Sequence, residues 1–242
     1  MINKFADMIN ESNYIVFFGG AGVSTESGVK DYRSADGLYN TVNEYGVPPE
    51  TILSHTFFYE HTDIFYDFYR KYFILDAKPN KAHLALAELE KMGKVKAVIT
   101  QNIDSLHQMA GSKNVIELHG NASKFICHSC GESYENIQDE ILKGIPKCKK
   151  CGAILKPKVV LYEERLYDGV AESAIENMQK AEMLIVGGTS LAVYPASSFV
   201  RYFRGKHIVM INKTETDFDR NADLVFRDSI GAVFNESMKK IQ

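Results

Sequence analysis

Two pairs of cysteines, a lone histidine after an apolar run, and a cluster of amides and a carboxylate are where this chain can do chemistry. Cys127-x-x-Cys130 and Cys148-x-x-Cys151 are separated by 17 residues and account for all 4 cysteines. Two such knuckles match tetrahedral four-thiolate zinc. With four protein ligands no coordination position stays open, so the metal reads as structural. Redox pairs and nucleic-acid knuckles compete with that reading. Two matched pairs oppose the first, and a formal net charge of −3 opposes the second. Gln101-Asn102-Ile103-Asp104 follows the apolar run Val95–Thr100. Ligands of open α/β sheets bind at strand carboxyl ends, where amides and a carboxylate can hold ribose hydroxyls and a carboxamide. Asp104 reads equally well as the N-cap of a helix through Leu106 and His107. His119 closes the run Val115-Ile116-Glu117-Leu118 and is a candidate general base. A satisfied core or surface histidine is the plain alternative. His128, between two zinc cysteines, is expected to point outward.

Three further segments place small or polar groups after apolar runs. Gly20-Ala21-Gly22-Val23-Ser24 follows residues 14–18. Glycines there permit a tight turn and close approach to a pyrophosphate, and a following helix N-terminus would offer free N–H groups. A purely structural turn is as good a reading, because Thr25 replaces the third glycine of the dinucleotide fingerprint. Ser27-Gly28-Val29-Lys30-Asp31-Tyr32-Arg33 is either a solvated loop or a ligand cover, with Tyr32 to stack and Arg33 to meet phosphate or carboxylate. Gly187-Gly188-Thr189-Ser190 and Ile211-Asn212 end two more apolar runs. A turn and a plain strand end are the alternatives there.

The elements that must position these groups alternate. Continuous apolar runs at 14–18, Val95–Thr100, 115–118, 183–186 and His207–Ile211 suit strands buried on both faces. Ala82, Ala85, Leu86 and Leu89 fall on one helical face, as do Val170, Ala171, Ala174, Ile175 and Met178. Alternating strands and helices predict an α/β fold with a doubly wound parallel sheet. Two segments break the pattern. Residues 30–80 carry an aromatic helical stripe (Ile64, Phe65, Phe68, Tyr69, Tyr72, Phe73), which reads first as helix core, and residues 121–156 carry the cysteines. A chain of 242 residues is long enough for a full core. It shows no long apolar leader and no run able to span a bilayer, so a cytoplasmic protein without membrane or nucleic-acid partners is expected.

In combination these motifs resemble the sirtuin family of NAD-dependent protein lysine deacylases over roughly residues 10–235. The resemblance implies a Rossmann-like domain (1–29, 81–120 and 157–242), a helical insert (30–80) and a zinc insert (121–156). It implies NAD contacts from Gly20, Ala21, Gly22, Ser24, Thr25, Tyr32, Arg33, Gln101, Gly188, Thr189, Ser190, Asn212 and Ile230. Asn102, Ile103 and Asp104 would line the nicotinamide and ribose site, with Asn102 and His119 catalytic and His119 the base. Val160, Leu161 and Tyr162 would pair with the substrate backbone and wall an acyl-lysine tunnel. Zinc would sit on Cys127, Cys130, Cys148 and Cys151. NAD would be consumed as co-substrate by a monomer acting on acylated lysines, giving nicotinamide, O-acyl-ADP-ribose and free lysine. ADP-ribosyl transfer to protein and non-catalytic sensing are the rival activities.

The chain departs from the family pattern at Gly19, where threonine is usual, at Lys30 and Tyr32 for proline and phenylalanine, and at Tyr162-Glu163-Glu164 for Phe-Gly-Glu. Family members that remove acidic acyl groups carry a Tyr-x-x-Arg pair in the helical insert. Here Arg70 falls four residues after Tyr66, with Asp67 between, so acetyl is expected to be preferred. Positions i and i+4 nevertheless share a helix face.

Overall fold

A computed structural model describes residues 1–31, 42–74 and 76–241. Tyr32 and Arg33 lie outside the described residues. The chain begins with α1 (Ile2–Glu11), β1 (Ile15–Gly19) and two 3₁₀ turns, Ala21–Val23 and Thr25–Ser27. Four helices follow: α2 (Val42–Tyr45), α3 (Pro49–Ile52), α4 (His55–Glu60) and α5 (Thr62–Phe73). Then come α6 (Lys81–Lys91), β2 (Val95–Thr100), α7 (Leu106–Ala110) and β3 (Val115–Glu117). The cysteine region holds β4 (Gly120–Cys127), β5 (Ser133–Glu135), α8 (Gln138–Lys143) and β6 (Leu155–Val159). The chain closes with α9 (Val170–Lys180), β7 (Met183–Gly187), β8 (His207–Ile211), β9 (Leu224–Phe226) and α10 (Ile230–Met238).

Six strands form a parallel sheet in the order β3-β2-β1-β7-β8-β9. Because side chains alternate along a strand, β1 feeds two cores. Ile15 and Phe17 pack with α1, α6 and α10 residues such as Phe5, Leu86 and Phe234. Val16 and Phe18 pack on the other face with Ala174 and Met178 of α9 and with Phe199. Burial on both faces is why these strands read as unbroken apolar runs. The chain leaves β1 toward β2 on one side and later returns at β7 on the other. That reversal opens a crevice at the carboxyl ends of β1, β2 and β7.

A second, antiparallel sheet has the order β5-β4-β6. The apolar patterning did not reveal it, because β4 mixes Asn121, Ser123 and Lys124 with apolar residues and β6 contains Lys156 and Pro157. This sheet shares one core with the helices before it. Phe65, Phe68 and Tyr69 of α5 pack with Phe125, Cys127, Leu155 and Val159. The Tyr66 hydroxyl donates to the Leu155 carbonyl, and the Tyr69 hydroxyl donates to that of Ala122 at 2.6 Å. Among the described residues no helix is long and apolar enough to cross a membrane.

Candidate active site

The turn after β1 interlocks with the turn after β7. The Gly22 N–H donates to the Gly188 carbonyl at 2.8 Å. A Cβ on Gly22 would lie 2.8 Å from the Gly188 Cα, and one on Gly188 (φ +60) would lie 2.3 Å from the Val23 nitrogen. Close backbone packing therefore already requires these glycines, so the structural reading of the turn holds whatever else binds there. The expected helix N-terminus is absent, and two 3₁₀ turns stand in its place. The second is anchored from outside, since the Glu26 carboxylate accepts from the Gly231 N–H in the first turn of α10 at 2.9 Å.

Side chains from four strand ends meet over these turns. The Ser24 hydroxyl, fully buried, donates to Asp104 Oδ2 at 2.6 Å and accepts from Asn102 Nδ2 at 3.0 Å. Asp104 Oδ1 also accepts from the Leu106 N–H at 3.0 Å. Both readings of Asp104 are thus realised at once: it caps α7 and holds the Ser24–Asn102 cluster. Gln101 Nε2 donates to Thr189 Oγ1 at 3.1 Å. Asn212 clasps Thr189 through its backbone, accepting from the N–H at 3.0 Å and donating to the carbonyl at 2.9 Å. The amide after β8 is therefore more than a strand end.

His119 faces the same space. Its Nδ1 lies 3.0 Å from the Gln101 carbonyl oxygen. A carbonyl only accepts, so Nδ1 carries the proton and Nε2 of the neutral ring carries a lone pair. Burial pushes the His119 pKa down, opposed by that hydrogen bond. The ring is therefore neutral near pH 7 and able to take a proton. A cavity of about 1340 Å³ joins these groups. Every described residue named above as an NAD or substrate contact lines it, Ser190 and Ile230 included. The cysteines do not.

Residues 160–162 already use most of their backbone groups within the protein. The N–H groups of Val160, Leu161 and Tyr162 are already used, by the His119 carbonyl, by Glu164 Oε2 and by the Leu53 carbonyl. The Tyr162 carbonyl accepts from His55 N–H, and the Leu161 carbonyl from Glu164 N–H. Tyr162 thus pairs with the loop before α4, and these residues wall the cavity with little backbone left to offer a ligand.

The sequence reading missed Asn80, whose side chain caps α6 and whose Nδ2 donates to the Val23 carbonyl at 2.8 Å. An Asn directly before a helical stripe was the available signal. It also missed Tyr69, Tyr72 and Phe73 as cavity walls. Their apolar stripe marks a core face, and sequence periodicity cannot separate core from pocket.

The four cysteine sulfurs lie within 4.8 Å of one another, with Cys127 and Cys151 Sγ 3.4 Å apart and Cys130 and Cys148 Sγ 3.6 Å apart. Tetrahedral zinc with thiolates at about 2.3 Å needs sulfurs about 3.8 Å apart. The donor set and its spacing fit one zinc ion, closed to other ligands. His128 is exposed, with Nδ1 3.2 Å from the Tyr59 hydroxyl.

Comparison with known proteins agrees with this architecture. The Sir2 family profile matches residues 20–195. An NAD-dependent protein deacetylase of Clostridium acetobutylicum is 54% identical over 236 residues, covering 96% of each chain. One from Clostridium perfringens is 54% identical over 237 residues, covering 97% of each. A Sir2 complex with p53 peptide and NAD+ superposes with a TM-score of 0.87 at 38% identity, covering 99% of this chain and 98% of the other. A Sir2 variant with deacetylated p53 peptide and 3'-O-acetyl ADP ribose gives 0.89 at 38% identity, covering 100% and 99%. With a family match over most of its length and close relatives end to end, the chain belongs to the Sir2 family, the sirtuins.

Proposed function

We propose that this protein removes acetyl groups from protein lysines, consuming NAD and one water and yielding nicotinamide, O-acetyl-ADP-ribose and free lysine. The observation that carries the reading is His119: a neutral, tautomer-fixed imidazole in the same cavity as Gln101, Asn102 and Asp104. The relatives' names and the peptide, NAD+ and acetyl-ADP-ribose complexes of the structural neighbours support it. Gly20, Ala21, Gly22, Ser24, Thr25, Gly188, Thr189, Ser190, Asn212 and Ile230 hold NAD along the sheet edge. Arg33 and Tyr32 complete that set. When bound, NAD supplies an electrophilic ribose carbon whose nicotinamide departs, and the acyl oxygen is its nucleophile.

The chain's own residues do the rest. Asn102 and Asp104, locked through Ser24, orient the ribose and carboxamide. His119 Nε2 takes a proton from a ribose hydroxyl, and the Gln101 carbonyl stabilises the resulting imidazolium at Nδ1. Leu161, Tyr162 and Val160 exclude water beside the acyl-lysine. Residues 1–29, 81–120 and 157–242 bind NAD, 30–80 cover it, and 121–156 hold one structural zinc. A reducing compartment keeps the four thiolates available, which suits a cytoplasmic protein. Mass analysis after incubation with NAD and an acetyl-lysine peptide tests the reading. O-acetyl-ADP-ribose and a peptide lighter by one acetyl group are expected. A peptide heavier by ADP-ribose, or no change, would overturn it.

A further inference from the structure

Glu163 stands at the mouth of the cavity in a conformation that L side chains rarely adopt, with φ at +75°. Two hydrogen bonds hold it there. Glu163 Oε2 accepts from the Thr56 N–H at 2.9 Å and from Thr56 Oγ1 at 2.7 Å. Thr56 lies in the first turn of α4, where a backbone N–H has no partner within the helix. The neighbours of Glu163 are fixed as well. Tyr162 is paired with Leu53 and His55 through its backbone. Glu164 is held by His55 Nδ1 and by the buried Lys156 Nζ, each at 3.0 Å. Among the described residues, the Glu163 N–H and C=O have no hydrogen-bond partner.

We propose that Glu163 is a positioning residue for the acyl-lysine peptide: its side chain straps its own peptide unit to Thr56, so that the Glu163 N–H and C=O face the groove as a preformed backbone edge for the substrate. This rests on the reading of the protein as a protein deacetylase. A glycine would reach φ +75° without strain but would lack the strap. A glutamine would keep the accepting oxygen.

The test compares Glu163→Ala, Glu163→Gly, Glu163→Gln and Thr56→Val in the full chain, with melting temperatures confirming that each folds. Ala and Gly should raise the KM for an acetyl-lysine peptide by about 3–10-fold, the weight of one to two hydrogen bonds. The kcat and the KM for NAD should stay within about twofold. Gln should restore the parental peptide KM, and Thr56→Val, losing only the hydroxyl bond, should fall between. A parental peptide KM in the Gly variant would overturn the proposal, because the backbone angle alone would then suffice. So would a matching change in the NAD KM or in kcat, which a general loss of structure would cause. Fluorescence-anisotropy binding of the same labelled peptide separates this idea from the enzymatic one. If the parent protein makes no product yet Ala and Gly weaken peptide binding, the activity reading fails and the strap stands. Unchanged peptide binding overturns the strap.

Discussion

At His119 the neighbours decide what the ring can do. The Gln101 carbonyl fixes the proton on Nδ1, and burial keeps the ring neutral. His119→Ala should lower kcat by about 10²–10⁴-fold while NAD binding and melting temperature hold. Turnover within a few-fold of the parent would remove His119 from its role. Two other histidines matter to stability. The rings of His83 and His107 meet edge to face at 4.7 Å, both buried. Burial lowers the pKa of His83 to about 4, opposed by Asp104, and that of His107 to about 3, aided by repulsion from His83. Unfolded histidine titrates near 6.5. Folded values below the unfolded one mean that the stability is complete above about pH 6.5. It is lost as pH falls toward 4 and then 3, because the unfolded chain takes up protons that the folded chain refuses. The melting temperature should therefore drop steadily between about pH 6.5 and about pH 4. His107→Leu should flatten that slope, and an unchanged slope in the variant would refute the assignment.

Helix α5 lines the cavity with aromatic rings. Tyr66 is buried, with its hydroxyl on the Leu155 carbonyl. Arg70 reaches the Ile141 carbonyl and the Asp67 carboxylate, each at 3.4 Å. The shared helix face of i and i+4 therefore does not bring this pair into the cavity. Tyr69, Tyr72 and Phe73 line it instead. A succinyl carboxylate would meet the aromatic rings that α5 contributes, and burying an unpaired charge is costly. Acetyl-lysine should exceed succinyl-lysine in kcat/KM by at least about tenfold on one peptide. Arg70→Ala should leave that ratio unchanged. Succinyl turnover equal to acetyl, lost in Arg70→Ala, would show that the arginine reaches the acyl chain after all.

Across the whole molecule, the cysteine region and the helices before it share one core. Cys127 and Cys148 belong to the same buried cluster as Phe65, Tyr66 and Phe68. Structural zinc supplies on the order of 10–16 kcal/mol to small modules. Cys148→Ser should release the metal and lower the melting temperature, by about 2–4 °C for each kcal/mol lost in a chain of this size. Activity should fall with unfolding, since Tyr69 and Phe125 of this cluster wall the cavity. A variant that keeps both zinc and melting temperature would disprove the site. The sequence by itself determined what short-range chemistry and periodicity encode. Five of the six parallel strands show as apolar runs because their faces are largely buried, and the zinc site shows because its ligands come in local pairs with fixed spacing. Gln101–Asp104, His119 and Asn212 were legible because each directly follows such a run. Only the tertiary structure decided the rest. The fusion of two inserts into one core, the interlock of Gly22 with Gly188, the Glu163–Thr56 strap and the pointing of Tyr66 away from the cavity all join residues distant in sequence. Such contacts are set by packing, and no local pattern records them.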